Sequence, residues 1–266
     1  AIDRLLFESD TSVEQTDKRY AVRKEPLLRK LATHVGERLT SIRNKKHLDL
    51  RCTKTTTWLI KSFRTMIEKK WNMTIDERDD EGGAEQDEAG ASTVDAFNRC
   101  GITTLCLDLI SLGIDKTLQL EVIKLCVAML FKEGGALAVQ ETMYAHLTSH
   151  KSDLFFLQIR NMLQSIDAGL KWQEVQLCEE DEEPDLPEEI IVLRFLQLMC
   201  EGHYCPNQDI LREQPDNEQS VNLLDDFVSF LNTLSRSPYR VNILAALNNC
   251  ATILEVIQGP CEQNQS

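Results

Sequence analysis

The amino-acid sequence predicts an all-α, armadillo/HEAT-like helical solenoid of stacked helix hairpins joined by acidic loops. Apolar residues recur at three- and four-residue spacing through most of the chain, while the two-residue alternation of strands is almost absent. The helical runs come in pairs at intervals of roughly 35 to 45 residues, without a tight repeat signature, as in solenoids whose hairpins bury their faces only against their neighbours. A chain of 266 residues with a 42% apolar fraction can supply such a core.

The first unit, residues 1–75, holds the N-terminal helices. Residues 1–25 are mixed and charged, consistent with a weak helix or an ordered extension. Pro26 suits a first helical position, and Leu27, Leu28, Leu31, Val35, Leu39 and Ile42 follow at helical spacing. A second helix is expected over 49–71, with Trp58, Leu59, Phe63, Met66 and Ile67 on its apolar side. Residues 76–92 are an acidic stretch whose like charges repel and leave little to bury, which predicts a flexible loop. Helical repeats occupy 93–178, with helices at 93–112, 116–132, 137–150 and 153–172, and with Gly113 and Gly134-Gly135 where C-caps fall. A second acidic linker, 179–189, carries Pro184 and Pro187, which keep it out of a helix. The last unit, 190–266, predicts helices at 188–200, 208–212, 221–234 and 241–257, the last three separated by Pro215 and Pro238.

Composition narrows the function. A formal charge of −14 opposes a nucleic-acid groove, which needs a basic stripe, and makes a cation the more natural partner. Nine cysteines scattered singly through apolar runs read as reduced core thiols and predict a cytosolic setting. No apolar run approaches the roughly 20 residues that span a bilayer, and no signal-peptide pattern is present. The start at Ala1 suggests a segment of something larger. Glycine-rich phosphate loops, nucleophile elbows and His-Glu-x-x-His are all missing from the sequence, so no enzyme is expected.

Three constellations could bind metal. Glu77, Asp79, Glu81, Gly82 and Glu88 fall in an EF-hand register, but the first position lacks Asp, the eighth is Ala84 and the residues beyond make a poor helix. A solvated acidic loop is the simpler account. Cys200, His203 and Cys205 suggest zinc, yet their spacing matches no familiar finger, and Cys261 could join only through the fold. The third pair is Glu201 and Glu255, each ending an apolar helical run. A buried carboxylate must be paired, solvated or neutralised. Returning solenoid helices could bring both to one edge as part of a calcium site, although two carboxylates offer at most four oxygens where calcium takes about six to eight. Spacing alone favours the plainer alternative, in which each faces solvent or pairs with Arg194, Arg212, Arg236 or Arg240.

The stretches Phe195-Leu196-Gln197-Leu198-Met199-Cys200-Glu201-Gly202-His203, Asn207-Gln208-Asp209-Ile210-Leu211-Arg212 and Ile257-Gln258-Gly259-Pro260-Cys261 resemble the homology-associated domain of inositol trisphosphate receptors and ryanodine receptors. Weaker similarity runs over about 94–163, through Cys100-Gly101-Ile102, Gly134-Gly135, Val139-Gln140 and Phe155-Phe156. The resemblance implies a cytosolic solenoid of a homotetrameric calcium-release channel on the endoplasmic reticulum or a related store. In that family an activating Ca2+ lies between this solenoid and the channel's C-terminal domain, held by two glutamates that match Glu201 and Glu255. It implies His203 and Gln258 as neighbours of that site and other domains of the same channel as partners. The connection Ser235–Arg240 is shorter than in the animal channels, which bears on the offset between the carboxylates. An armadillo-type protein-binding scaffold without calcium sensing is the competing expectation.

Overall fold

The computed structural model describes residues 25–37, 50–70, 84–132, 134–148, 152–177, 186–236, 240–259 and 261–265. The helices are α1 (25–37), α2 (Leu50–Lys70), α3 (Ala84–Arg99), α4 (Ile102–Leu112), α5 (Lys116–Leu130), α6 (Leu137–Leu147), α7 (Asp153–Leu177), α8 (Ile191–Cys200), α9 (Cys205–Arg212), α10 (Leu223–Leu234), α11 (Arg240–Ile257) and α12 (Glu262–Gln265). A 3-10 turn, Glu188–Ile190, leads into α8. No strand occurs among the described residues.

The helices pack in three rows. One row runs α2, α5, α8, α11; a second α4, α7, α10; and a third α3, α6, α9, α12. The chain visits the third, second and first rows in turn, so the repeating unit is a three-helix triad of the armadillo kind. The all-α solenoid is as the periodicity implies, whereas the hairpin unit is corrected. The expected single helix over 93–112 is two, broken at Gly101, whose φ of +82° is a left-handed conformation that residues with a β-carbon seldom take. Apolar spacing continues across the break through Phe97, Ile102 and Leu105 and conceals it. The third row is also short, α6 having 11 residues and α9 only 8.

Other boundaries differ. The helix α3 begins at Ala84, so the flexible loop expected through residue 92 ends earlier, and a helix occupies the second half of the supposed EF-hand loop. Glu77, Asp79, Glu81 and Gly82 lie outside the described residues, as do 1–24, 179–185, Leu39 and Ile42. Helix α7 continues to Leu177, beyond its expected end, and α9 starts at Cys205 with Pro206 in its first turn.

The core runs through the rows without interruption. Phe63 and Phe97 meet edge-to-face with centroids 5.5 Å apart, as do Phe155 and Phe156 at 5.2 Å. Leu107, Ile110, Ile123, Leu125 and Met129 fill the α4–α5 layer, all fully buried. Polar ties run along the rows: Arg64 of α2 reaches Glu121 of α5 at 3.1 Å, and Arg160 of α7 reaches Asp226 of α10 at 2.7 Å. Lys116 pairs with Glu189 and anchors the start of the last unit on α5.

Helix α11 is long and apolar enough, by length and composition, to cross a membrane. In the solenoid it packs against α8 and α10. Its buried face includes Asn249, whose Nδ2 donates to the Phe227 carbonyl at 2.8 Å, and Thr252, whose hydroxyl donates to the Leu193 carbonyl at 3.1 Å. These bonds fix one face of α11 against α8 and α10, while Ile243, Leu247 and Leu254 on the other are exposed.

Candidate metal centre

Helices α8 and α11 are neighbours in one row, and their C-terminal ends meet at one edge. Glu201 is the residue that caps α8, its N–H donating to the Leu198 carbonyl, while Glu255 stands in the last turn of α11. Between them lies His203, held at a φ of +60° in the turn after Glu201. Its Nδ1 is 3.9 Å from Glu255 Oε1. The Glu255 side chain is only 14% exposed, against 51% for His203. The turn is built by close backbone approach: a β-carbon on Gly202 would stand 2.3 Å from the Gly134 carbonyl oxygen, which leaves glycine as the residue that fits.

Buried amides fix the two helix ends. The last carbonyls of a helix have no partner within it and need one from outside. Gln140, in α6, donates through Nε2 to the carbonyls of Leu198, Met199 and Glu201 at 3.2, 3.3 and 2.8 Å. Gln208, in α9, donates in the same way to Glu255 and Gln258 at 2.8 and 2.9 Å. Each glutamine is the fourth residue of a third-row helix, and each caps the first-row helix of its own triad. Asn207 and Asn264, the third residues of α9 and α12, cap the first-row helix of the preceding triad, through Met199 at 2.8 Å and Val256 at 3.2 Å. The glutamate backbones are thereby positioned by a device that recurs at the ends of α8 and α11.

The electrostatics are unfavourable to two anions. Helix C-termini carry the negative end of the macrodipole, so a carboxylate there is destabilised. Burial, followed by the charge of Glu201, pushes the Glu255 carboxyl above its ordinary range, and His203 and Arg194 offset this in part. Of the arginines the spacing offers as partners, Arg212 is engaged elsewhere, with Asp209, Asn264 and Gln263. A cation would relieve the strain. The donor set suits calcium in kind, being hard carboxylate oxygen, and falls short in number, because two carboxylates cannot reach six ligands. Among the described residues, Glu201, His203 and Glu255 do not themselves make a three-donor cluster within ligating reach; Cys205, Asp209 and Cys261 do.

The structure separates the other sequence candidates. Cys200 is fully buried in α8, where desolvation pushes its thiol well up, while His203 lies exposed beside Glu255. Cys205 meets Cys261, which the sequence allowed only through the fold, and with Asp209 forms a cluster that includes neither Cys200 nor His203. The Gln258 backbone carbonyl belongs to the capped end of α11, and its residue is exposed. Sequence reading missed Gln140, Asn207, Gln208 and Asn264. An amide at a helical position whose neighbours predict burial is the available signal, since it must find hydrogen bonds there.

Residues 187–266 match the family described as RyR and IP3R Homology associated. That match covers the C-terminal unit alone and marks it as similar to the domain shared by the ryanodine and inositol trisphosphate receptors. Among curated proteins, an inositol 1,4,5-trisphosphate receptor of Caenorhabditis elegans is 34% identical over 102 residues, covering 33% of this chain. The match spans 4% of that receptor's length.

Proposed function

We propose that this chain is a cytosolic regulatory solenoid of an intracellular calcium-release channel, with Glu201 and Glu255 as ligands of an activating Ca2+ site. The observation that carries the reading is the pair of carboxylates at adjacent helix ends, with Glu255 desolvated and made harder to ionise by burial and by Glu201. The family match supports it. In the assembled homotetramer, on the cytosolic face of the endoplasmic reticulum or a related store, the missing ligands would come from another domain, foremost the channel's C-terminal domain. Such incompleteness suits a sensor: calcium stabilises only the arrangement that brings both parts together, and so biases gating. His203 and Gln258 would orient the glutamates without ligating. The chain would then act as a coupling element and not as an enzyme.

A second reading, a protein-binding scaffold without calcium sensing, draws on the exposed apolar side chains Ile243, Leu247 and Leu254 along α11. Calcium titration of the full channel separates the two. Glu201→Gln and Glu255→Gln are each expected to move activation to higher calcium, and an unchanged activation curve for both would sink the sensor reading.

A further inference from the structure

Near the same two turns in the chain, the fold gathers a second set of donors. Cys205 opens α9 just after the turn that follows Glu201, and Cys261 lies between the end of α11 and α12. Asp209, one turn into α9, stands between their sulfurs: Oδ1 is 3.2 Å from Cys261 Sγ and Oδ2 is 3.6 Å from Cys205 Sγ. All three donors lie within 4.8 Å of one another.

We propose that Cys205, Asp209 and Cys261 bind a thiophilic divalent cation of the zinc type. Zinc bonds of about 2.3 Å to sulfur and about 2.0 Å to oxygen place sulfur and oxygen about 3.5 Å apart in a tetrahedron, close to the 3.2 and 3.6 Å that separate the two sulfurs from the two Asp209 oxygens, so a small turn of the carboxylate brings one oxygen to both. The donor set is soft, two sulfurs to one carboxylate, and so selects zinc over the calcium that Glu201 and Glu255 suit. Charge also balances. Two thiolates, one carboxylate and a divalent ion leave a single negative charge, and the Arg212 guanidinium lies 3.4 Å from Asp209 Oδ1 to meet it. The fourth position is left for water or an incoming ligand.

Without metal, the thiols stay protonated and donate to Asp209. Burial, then Asp209, pushes the Cys261 thiol up to about 12. Binding therefore releases two protons and converts two thiol–carboxylate hydrogen bonds into three metal bonds. The consequence is mechanical: the ion clips the turn after Glu201 to the turn after Glu255. The cluster stands whether or not the glutamates bind calcium.

Cobalt(II) titration of the reduced 266-residue chain, with zinc in competition, tests this. Tetrahedral cobalt bands with a thiolate-to-cobalt charge-transfer band are expected, bleached by one equivalent of zinc and unaffected by calcium. Cys205→Ser and Cys261→Ser should each weaken zinc binding by roughly tenfold or more, with helical content by circular dichroism unchanged. A wild-type chain without the charge-transfer band, or a band that survives in the double variant, would overturn the assignment. If a serine variant misfolds, zinc protection of Cys205 and Cys261 from alkylation in the unmodified chain decides it; alkylation at the same rate with and without zinc rejects the site.

Discussion

The α4–α7 region and the last unit, from α8 to α12, are built from the same row pattern on apolar cores, and the last unit adds buried amides to its core. In the first, the buried interior is almost wholly apolar: Leu107, Ile110, Ile123, Met129, Phe155 and Phe156 are fully enclosed, with Thr103 and Gln140 among the few polar exceptions. In the second, Asn207, Gln208, Gln214, Asn242, Asn249, Thr252 and Asn264 are all buried. Apolar burial is non-directional and tolerates small shifts of one helix on another. Amide-to-carbonyl bonds are directional, so the last unit specifies where helix ends lie as well as that they pack. Positional control is concentrated near the helix ends that carry Glu201, Glu255, Cys205 and Cys261.

The contrast can be broken most severely in the apolar half. Phe156→Ala removes a fully buried ring and its edge-to-face partner contact with Phe155. It should cost about 3–5 kcal/mol in urea unfolding of the 266-residue chain. A loss well below that range would mean the layer repacks and is less rigidly filled than its burial indicates.

A middle-sized effect is expected from Gln208→Leu, which keeps bulk but strips the donor from the Glu255 and Gln258 carbonyls. The cost should be about 1–3 kcal/mol, and amide hydrogen exchange should rise at the end of α11 before elsewhere. Uniform faster exchange across the chain would show that the amide stabilises generally and does not position the helix end.

The smallest change belongs to Glu255→Gln, measured as thermal stability without divalent cations. Because the folded carboxyl is raised above its ordinary value, its ionised form is disfavoured by folding. That penalty is present above the folded pKa and is relieved as pH falls through it. The glutamine variant should therefore melt slightly higher than wild type near pH 7, with the difference shrinking through the carboxylate range. A variant that melts lower at pH 7 would show that His203 and Arg194 outweigh burial and Glu201.

Much of this was legible in the residues. The 3.6-residue periodicity located nearly every long helix, and the Phe195–His203 and Ile257–Cys261 stretches singled out Glu201 and Glu255. The three-row triad was not legible, because the Gly101 break falls inside continuous apolar spacing and because α6 and α9 are too short to show a period of their own. The Cys205–Asp209–Cys261 cluster was legible only in part: the cysteines stood out as possible zinc ligands, Cys261 only through the fold, but Asp209, one turn from Cys205 in α9, has the look of an ordinary helix-surface acid.

Helix content, acidity and the two glutamates at the ends of apolar runs were determined by the sequence alone, since each follows from local spacing and residue type. Tertiary structure decided which helix ends lie side by side, that Gln140 and Gln208 cap them, and that Cys261 closes on Cys205. Those depend on packing between residues far apart in the chain, where the free energy of a contact is set by the partner and not by the neighbour in sequence.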